Sequence, residues 1–348
     1  MKTFSSSPLP NSATTAPGTA GPVQFQPQLD PDVQEPANGQ RALVLGGGGS
    51  TGNAWLIGVI AGLFDAGLDV TTAHLTVGTS AGSTAAAQLA GATPGELFEA
   101  ILAAAPQRPR GADGAGESAA APSGGRTGTE RHAARPVVDH MERTGTIMKA
   151  ASDMADMRRR LGAAAIEMAA SMEGASTRWR ATVASRLPQP GWPERTILLT
   201  AVNARTGDPV TFDRHSGVEL VDAVAASCAS GFAYSIGTEQ YIDGGYRANA
   251  ENADLAAGYG RVLVLAPFGG RTRTPLEWGM HLAGQVEALR ADGSRVETVF
   301  PESDSEHMFG VNAMDLSLRP AAARAGFEQG RALAGQLAEF WGSGLFVG

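Results

Sequence analysis

The sequence predicts an α/β domain built on a mostly parallel sheet, and three observations carry that prediction. Short apolar runs that end in glycine, such as residues 41–45 ahead of Gly46, have the character of strands covered on both faces. Segments of helical pattern rich in small residues follow those runs. Glycine is abundant, at 45 residues, and aromatic residues make up only 6%, which suits tight backbone packing around such a sheet. A chain of 348 residues can hold one large domain of this kind or two modest ones.

The elements follow in order. Residues 1–39 mix Pro, Ser, Thr and Ala without an apolar stretch of about 7–15 residues, so they are expected to be disordered and not to be a secretory leader. Residues 40–342 are expected to form a single domain. It opens with the strand 41–45 and a buried helix over 53–64 that ends near Gly67. A strand over 73–77 and a helix of small residues over 83–90 flank Gly78-Thr79-Ser80-Ala81-Gly82. A further helix starts at Pro94, and 107–135 is a Gly/Ala/Ser/Arg-rich segment expected to be a mobile loop.

Residues 136–190 read as a helical insert. Within it Met154, Met157, Leu161, Met168 and Met172 recur at three-to-four spacing, giving one apolar face. Helix packing explains that face, and an adaptable lid over an acyl chain is the sharper alternative. The α/β pattern then resumes with a strand over 196–202, a short pairing strand at 210–212 and a helix over 218–226. A strand at 241–242 runs into Asp243-Gly244-Gly245, and 261–265 is another buried strand. Residues 268–342 read as a C-terminal helical extension, closing with an alanine-rich amphipathic helix over 320–341.

Composition excludes some functions. A net charge of −8 argues against nucleic-acid binding. Between residues 107 and 190 there are 13 Arg/Lys against 9 Asp/Glu, an excess that suits an anionic interface or simply a solvated helix face. The single cysteine, Cys228, excludes internal disulfides and fits a reducing compartment, so a cytoplasmic location is expected. No run of about 18 apolar residues occurs, so any membrane contact is expected to be peripheral.

The chemistry gathers around Ser80. A serine between Gly78 and Gly82, carried from strand to helix, is the arrangement that exposes a hydroxyl on a strained elbow. A free alcohol is inert, so Ser80 needs a base for its proton and donors for the oxygen that becomes negative. The amide of Ala81 is one donor, and the turn Gly47-Gly48-Gly49-Ser50-Thr51-Gly52 can supply others at a helix N-terminus. The same turn fits the dinucleotide fingerprint. That use wants an acidic residue ending the second strand, and the strand here ends in Val77-Gly78.

Two kinds of base are available. The order Ser, Asp, His of a hydrolase triad is met by Asp243 with His281 or His307. His281 reads as a helix interior and His307 lies in an acidic loop. Asp243 is delivered by a strand and followed by two glycines, and burial would raise its pKa toward that of a useful base.

Taken together, the glycine-rich turn, Gly78-Thr79-Ser80-Ala81-Gly82 and Asp243-Gly244-Gly245 occur in the order in which they stand in the patatin-like phospholipases, and the chain resembles that family over about 41–267. Residues 252–256 after the Asp motif also look familial. The resemblance implies a three-layer α/β/α fold with a helical insertion, and hydrolysis of acyl esters of lipids without any cofactor or metal. It implies Ser80 as nucleophile and Asp243 as general base in a histidine-free dyad. Gly47, Gly48, Gly49 and Ala81 would form the oxyanion hole, with Gly52, Gly78, Gly82, Gly244 and Gly245 as supporting motif positions. The partner implied is a lipid or acyl ester at a membrane surface.

Two positions depart from the family's pattern. The family usually carries Arg or Lys where this chain has Thr51, a residue that braces the glycine turn. The segment 227–234 also lacks the prolines often found before the Asp motif. These departures leave open a catalytically weak protein that binds lipid or regulates. Intact Ser80 and Asp243 speak for an enzyme, because a pure binder needs neither.

Overall fold

A computed structural model describes residues 37–104 and 129–342, with side chains over 39–104 and 139–342. The expected disorder of 1–39 and the expected loop up to residue 128 therefore lie largely outside the described residues.

The chain alternates strands and helices: β1 (Ala37–Leu45), α1 (Gly49–Asp65), β2 (Leu75–Gly78), α2 (Ala81–Gly91) and α3 (Pro94–Ala103). The insert follows as α4 (Thr129–Ala150), α5 (Met154–Ala170) and α6 (Ala175–Ala184). Then come β3 (Thr196–Asn203), β4 (Pro209–Phe212), α7 (Leu220–Ser227), β5 (Tyr234–Ile236) and β6 (Glu239–Asp243). The chain closes with β7 (Tyr259–Leu265), α8 (Leu282–Ala291), β8 (Arg295–Val299) and α9 (Arg319–Trp341).

The strands form one sheet in the order β5-β6-β3-β2-β1-β7-β8, with β4 on the other edge of β3. Pairings among β3, β2, β1, β7 and β8 are parallel, and those of β4, β5 and β6 are antiparallel. Alternation along β1 and β7 shows why both faces are covered. Leu43, Leu45, Leu263 and Leu265 pack under α1, α2, α7 and α9, while Ala42, Val44, Val262 and Val264 pack against α8 on the opposite face. Strands buried on both sides are apolar at every position, which is why 41–45 and 261–265 are continuous apolar runs.

Helix α9 belongs to this core. Cβ atoms added at Gly58 and Gly62 of α1 would overlap the carbonyls of Ala323 and Phe327, and those at Gly326 and Gly330 of α9 would overlap the carbonyls of Trp55 and Val59. Glycine at all four positions lets the two backbones touch, and Trp55 adds a bond from Nε1 to Gln329 Oε1 at 3.2 Å.

Two expectations need correction. Residues 268–342 are not only helical, because β8 adds a parallel edge strand to β7. Its sequence, Arg-Val-Glu-Thr-Val, mixes charged and polar residues with apolar ones, as an edge strand does, and so lacks the apolar run that marks a central one. Helix α4 begins at Thr129, inside the segment expected to be a loop. Glu, Ala and Arg there are good helix formers. Of the methionine face, Met154, Met157 and Leu161 are buried with Val202 and Ile242 of β3 and β6, while Met172 is exposed, so the first half is core packing. Among the described residues no helix is long and apolar enough to cross a membrane.

Candidate active site

The site is made by two strand ends meeting on β3. Strand β2 pairs with Thr196–Leu199, and β6 runs antiparallel to Ala201–Asn203 with its last residue, Asp243, opposite Ala201. Because β4 occupies the other edge of β3 at 199–202, β2 and β6 share one edge. They approach head to head across Thr200. The residue leaving β2 two positions on is Ser80, so the topology alone brings Ser80 to Asp243.

Ser80 is held in a strained backbone conformation, with φ 52° and ψ −111°. It is one of two non-glycine residues with positive φ among the described residues. Neighbouring side chains fix it there. Its N–H donates to Ser227 Oγ at 2.9 Å, and its carbonyl accepts from Ser83 Oγ at 2.6 Å and Cys228 Sγ at 3.1 Å. Strain of this kind persists only where the surroundings over-determine it. Gly78 and Gly82 are required by close approach: a Cβ at Gly82 would overlap the Leu45 carbonyl, and one at Gly78 would meet Ser83 Cα at 2.7 Å.

The carboxyl of Asp243 is 7% exposed and accepts the N–H of Gly245 at 2.8 Å. Burial pushes its pKa up to about 6, against the lowering effects of the Gly245 amide and of the Ser80 hydroxyl beside it. A Cβ at Gly244 would overlap the Thr200 carbonyl and hydroxyl, so only glycine lets the chain turn down onto β3.

A buried hub locks these parts together. Asn252 is fully buried at φ 56° and donates from Nδ2 to Thr79 Oγ1 (3.0 Å) and the Gly244 carbonyl (3.0 Å). Thr79 Oγ1 bonds Thr200 Oγ1 at 2.9 Å, so elbow, β3 and Asp turn form one network. Arg247 donates to Asn252 Oδ1 at 3.2 Å and pairs with Asp254 at 2.8 Å.

The glycine turn lies against the serine, since a Cβ at Gly47 would sit 3.6 Å from Ser80 Cβ. Its amides are not all open. Gly47 donates to the Ala250 carbonyl at 2.7 Å, which removes it from the expected donor set. Gly48, Gly49 and Ala81 have no acceptor for their N–H groups among the described residues. Gly49 adopts φ 64° against Ala313, and a Cβ at Gly48 would meet Pro267 at 2.6 Å. Beneath Gly46 lies Glu251, 1% exposed, with Oε1 unpartnered and its pKa pushed by burial to about 7.

Neither histidine weighed as a triad member touches the pair. His281 caps the start of α8 instead of lying inside a helix, and His307 bonds the Asp304 carbonyl at 2.9 Å on the surface. His140 of α4 meets the Tyr246 hydroxyl at 3.3 Å. Among the described residues no group of three or more His, Cys, Asp or Glu is gathered as a metal ion would require.

Sequence reasoning passed over Thr200, Ser227 and Arg319. Thr200 and Ser227 are small polar residues inside apolar stretches, a faint signal. Arg319 stands at the head of the amphipathic helix α9 and carries no such signal.

A family model described as patatin-like phospholipase matches residues 43–255. No curated protein sequence matches the chain. Among solved structures, VipD from Legionella pneumophila is similar at 12% identity, covering 86% of this chain and 67% of that one, with a TM-score of 0.37. The type III effector ExoU is similar at 14% identity over 85% of this chain and 54% of that one, with a TM-score of 0.31. ExoU of Pseudomonas aeruginosa in complex with SpcU gives 16%, 84% and 53%, with a TM-score of 0.29. The chain spans about half the length of ExoU.

Proposed function

The chain belongs to the patatin-like phospholipase family, and from that premise we propose that it is a serine hydrolase of lipid acyl esters working through Ser80 and Asp243. The observation that carries the reading is a buried carboxyl of raised pKa beside the hydroxyl of a strained elbow serine, with no histidine at either among the described residues.

The steps follow from that pairing. The Ser80 oxygen attacks the ester carbonyl carbon while its proton passes to Asp243. The carbonyl oxygen becomes an alkoxide, received by the free amides of Gly48, Gly49 and Ala81 at the starts of α1 and α2. Collapse expels the alcohol, which takes the proton back from Asp243 and leaves an acyl-serine. Water then attacks the acyl carbon, gives a proton to Asp243, and the departing Ser80 oxygen recovers it as the fatty acid is released. A carboxyl titrating at about 6 is ionised at neutral pH, yet is a better base than an ordinary aspartate.

A fluorophosphonate probe tests the assignment. It should label the wild type and leave Ser80→Ala unlabelled, and hydrolysis of short nitrophenyl esters should collapse in Asp243→Asn. His281→Ala and His307→Ala should keep wild-type rates. A lethal effect of either histidine change would replace the dyad by a triad. A folded protein that neither labels nor turns over would instead be a lipid binder.

A further inference from the structure

The glycine turn carries no charge of its own. Thr51 is wholly buried, and its N–H and Oγ1 donate to the Ala313 carbonyl at 3.0 and 3.4 Å. A guanidinium reaches the turn from the far end of the chain. Arg319, the first residue of α9, donates from Nη1 to the Ser50 carbonyl (2.7 Å) and hydroxyl (3.1 Å), and from Nη2 to Asn53 Oδ1 (3.2 Å). Asn53 in turn donates from Nδ2 to Gln88 Oε1 at 3.0 Å and to the Ala81 carbonyl at 3.5 Å.

One cation is thus joined to the first turn of α1 and, through Asn53, to that of α2. Those two turns carry Gly48, Gly49 and Ala81, whose amides have no acceptor among the described residues. We propose that Arg319 is a positioning residue for acyl transfer, holding both halves of the oxyanion pocket in register and supplying positive charge where the alkoxide forms. The inference rests on the hydrolase reading above.

Four features argue for a functional brace over a merely structural one. Every acceptor of Arg319 is neutral, and no carboxylate pairs with it among the described residues. A cation at the start of α1 works against the helix dipole, and burial with Arg186 nearby draws its pKa down to about 10. It stays charged at neutral pH, in a place that becomes favourable only when negative charge arrives beside it. Delivery is also rigid. The glycine seam locks α9 to α1 along two turns, and Pro320 stiffens the backbone after Arg319, so the guanidinium cannot drift from Ser50. Finally, Arg319 lies outside residues 43–255, so the brace comes from sequence beyond the family match.

The test compares wild type with Arg319→Gln, Arg319→Lys and Arg319→Ala. On a soluble nitrophenyl ester the Gln variant should lose roughly tenfold to a hundredfold in kcat, with KM within about twofold. Lysine should give an intermediate rate, and millimolar guanidinium should restore part of the rate of Arg319→Ala but none of Ser80→Ala. Independently of turnover, the amide resonances of Gly48, Gly49 and Ala81 should move in Arg319→Gln more than those of β7 and β8. Wild-type kcat in Arg319→Gln, or a rate loss that tracks the thermal midpoint without guanidinium recovery, overturns the proposal. Should the wild type hydrolyse no ester, the hydrolase reading fails. Unmoved Gly48, Gly49 and Ala81 amides then refute the positioning role on their own.

Discussion

Replacing Asp243 with Asn should destroy turnover and make the protein more stable, and the gain should depend on pH. The carboxyl is taken from the ordinary aspartate value of 3.8 to about 6 by burial. A shift of about two units, at roughly 1.4 kcal/mol each, is about 3 kcal/mol spent on keeping a charge in that place. Asn has the same shape, still accepts the Gly245 N–H and carries no charge. Well below pH 3.8 the acid is protonated in folded and unfolded chains alike, so Asp and Asn should be equally stable there. Between about 4 and 6 the folded state binds a proton that the unfolded chain has released, so wild-type stability falls as pH rises. Above about 6 the whole cost is present. With roughly 2.1 cal/mol/K per residue over roughly 300 ordered residues, 3 kcal/mol is about 5 °C in melting temperature. Thermal melts at about pH 4, 5 and 8 should therefore show about a fifth of the gain, about half of it, and all of it. Wild-type kcat/KM should rise with pH through about 6, as Asp243 ionises. An Asn variant no more stable at pH 8, or equally improved at every pH, would refute the buried-base account. So would an activity limb near pH 4.

Two further outcomes follow from the strained serine and the buried hub. Ser80→Gly relieves the positive φ that Ser80→Ala retains, so the Gly variant should be more stable by about 1 kcal/mol in denaturant melts, with both inactive. Asn252→Gly keeps the left-handed backbone but strands the acceptors on Thr79 and Gly244. It should lose roughly 1–3 kcal/mol in stability and more than about tenfold in kcat, read by melts and ester turnover.

Much of the site was legible in the sequence because its parts are local. Glycine at 78 and 82 marks an elbow wherever it occurs, since any larger residue would overlap Leu45 or meet Ser83. The apolar runs of β1 and β7 announce strands covered on both faces. Strand β8 was hidden, because an edge strand with Arg295 and Glu297 has no such run. The state of the Gly47 amide was also hidden, since its acceptor, the Ala250 carbonyl, lies some 200 residues away and a backbone carbonyl has no signature in sequence.

The sequence by itself determined the elbow at Ser80, the glycine turn, the acid at Asp243 and the alternating elements that carry them. Each depends on the conformational reach of a few adjacent residues. Tertiary structure alone decided that β2 and β6 meet head to head on β3, that burial lifts Asp243 to about 6, and that Arg319 stands on the turn where Thr51 brings no charge. Pairing register, desolvation and long-range contact belong to segments far apart in the chain, and no local pattern of residues encodes them.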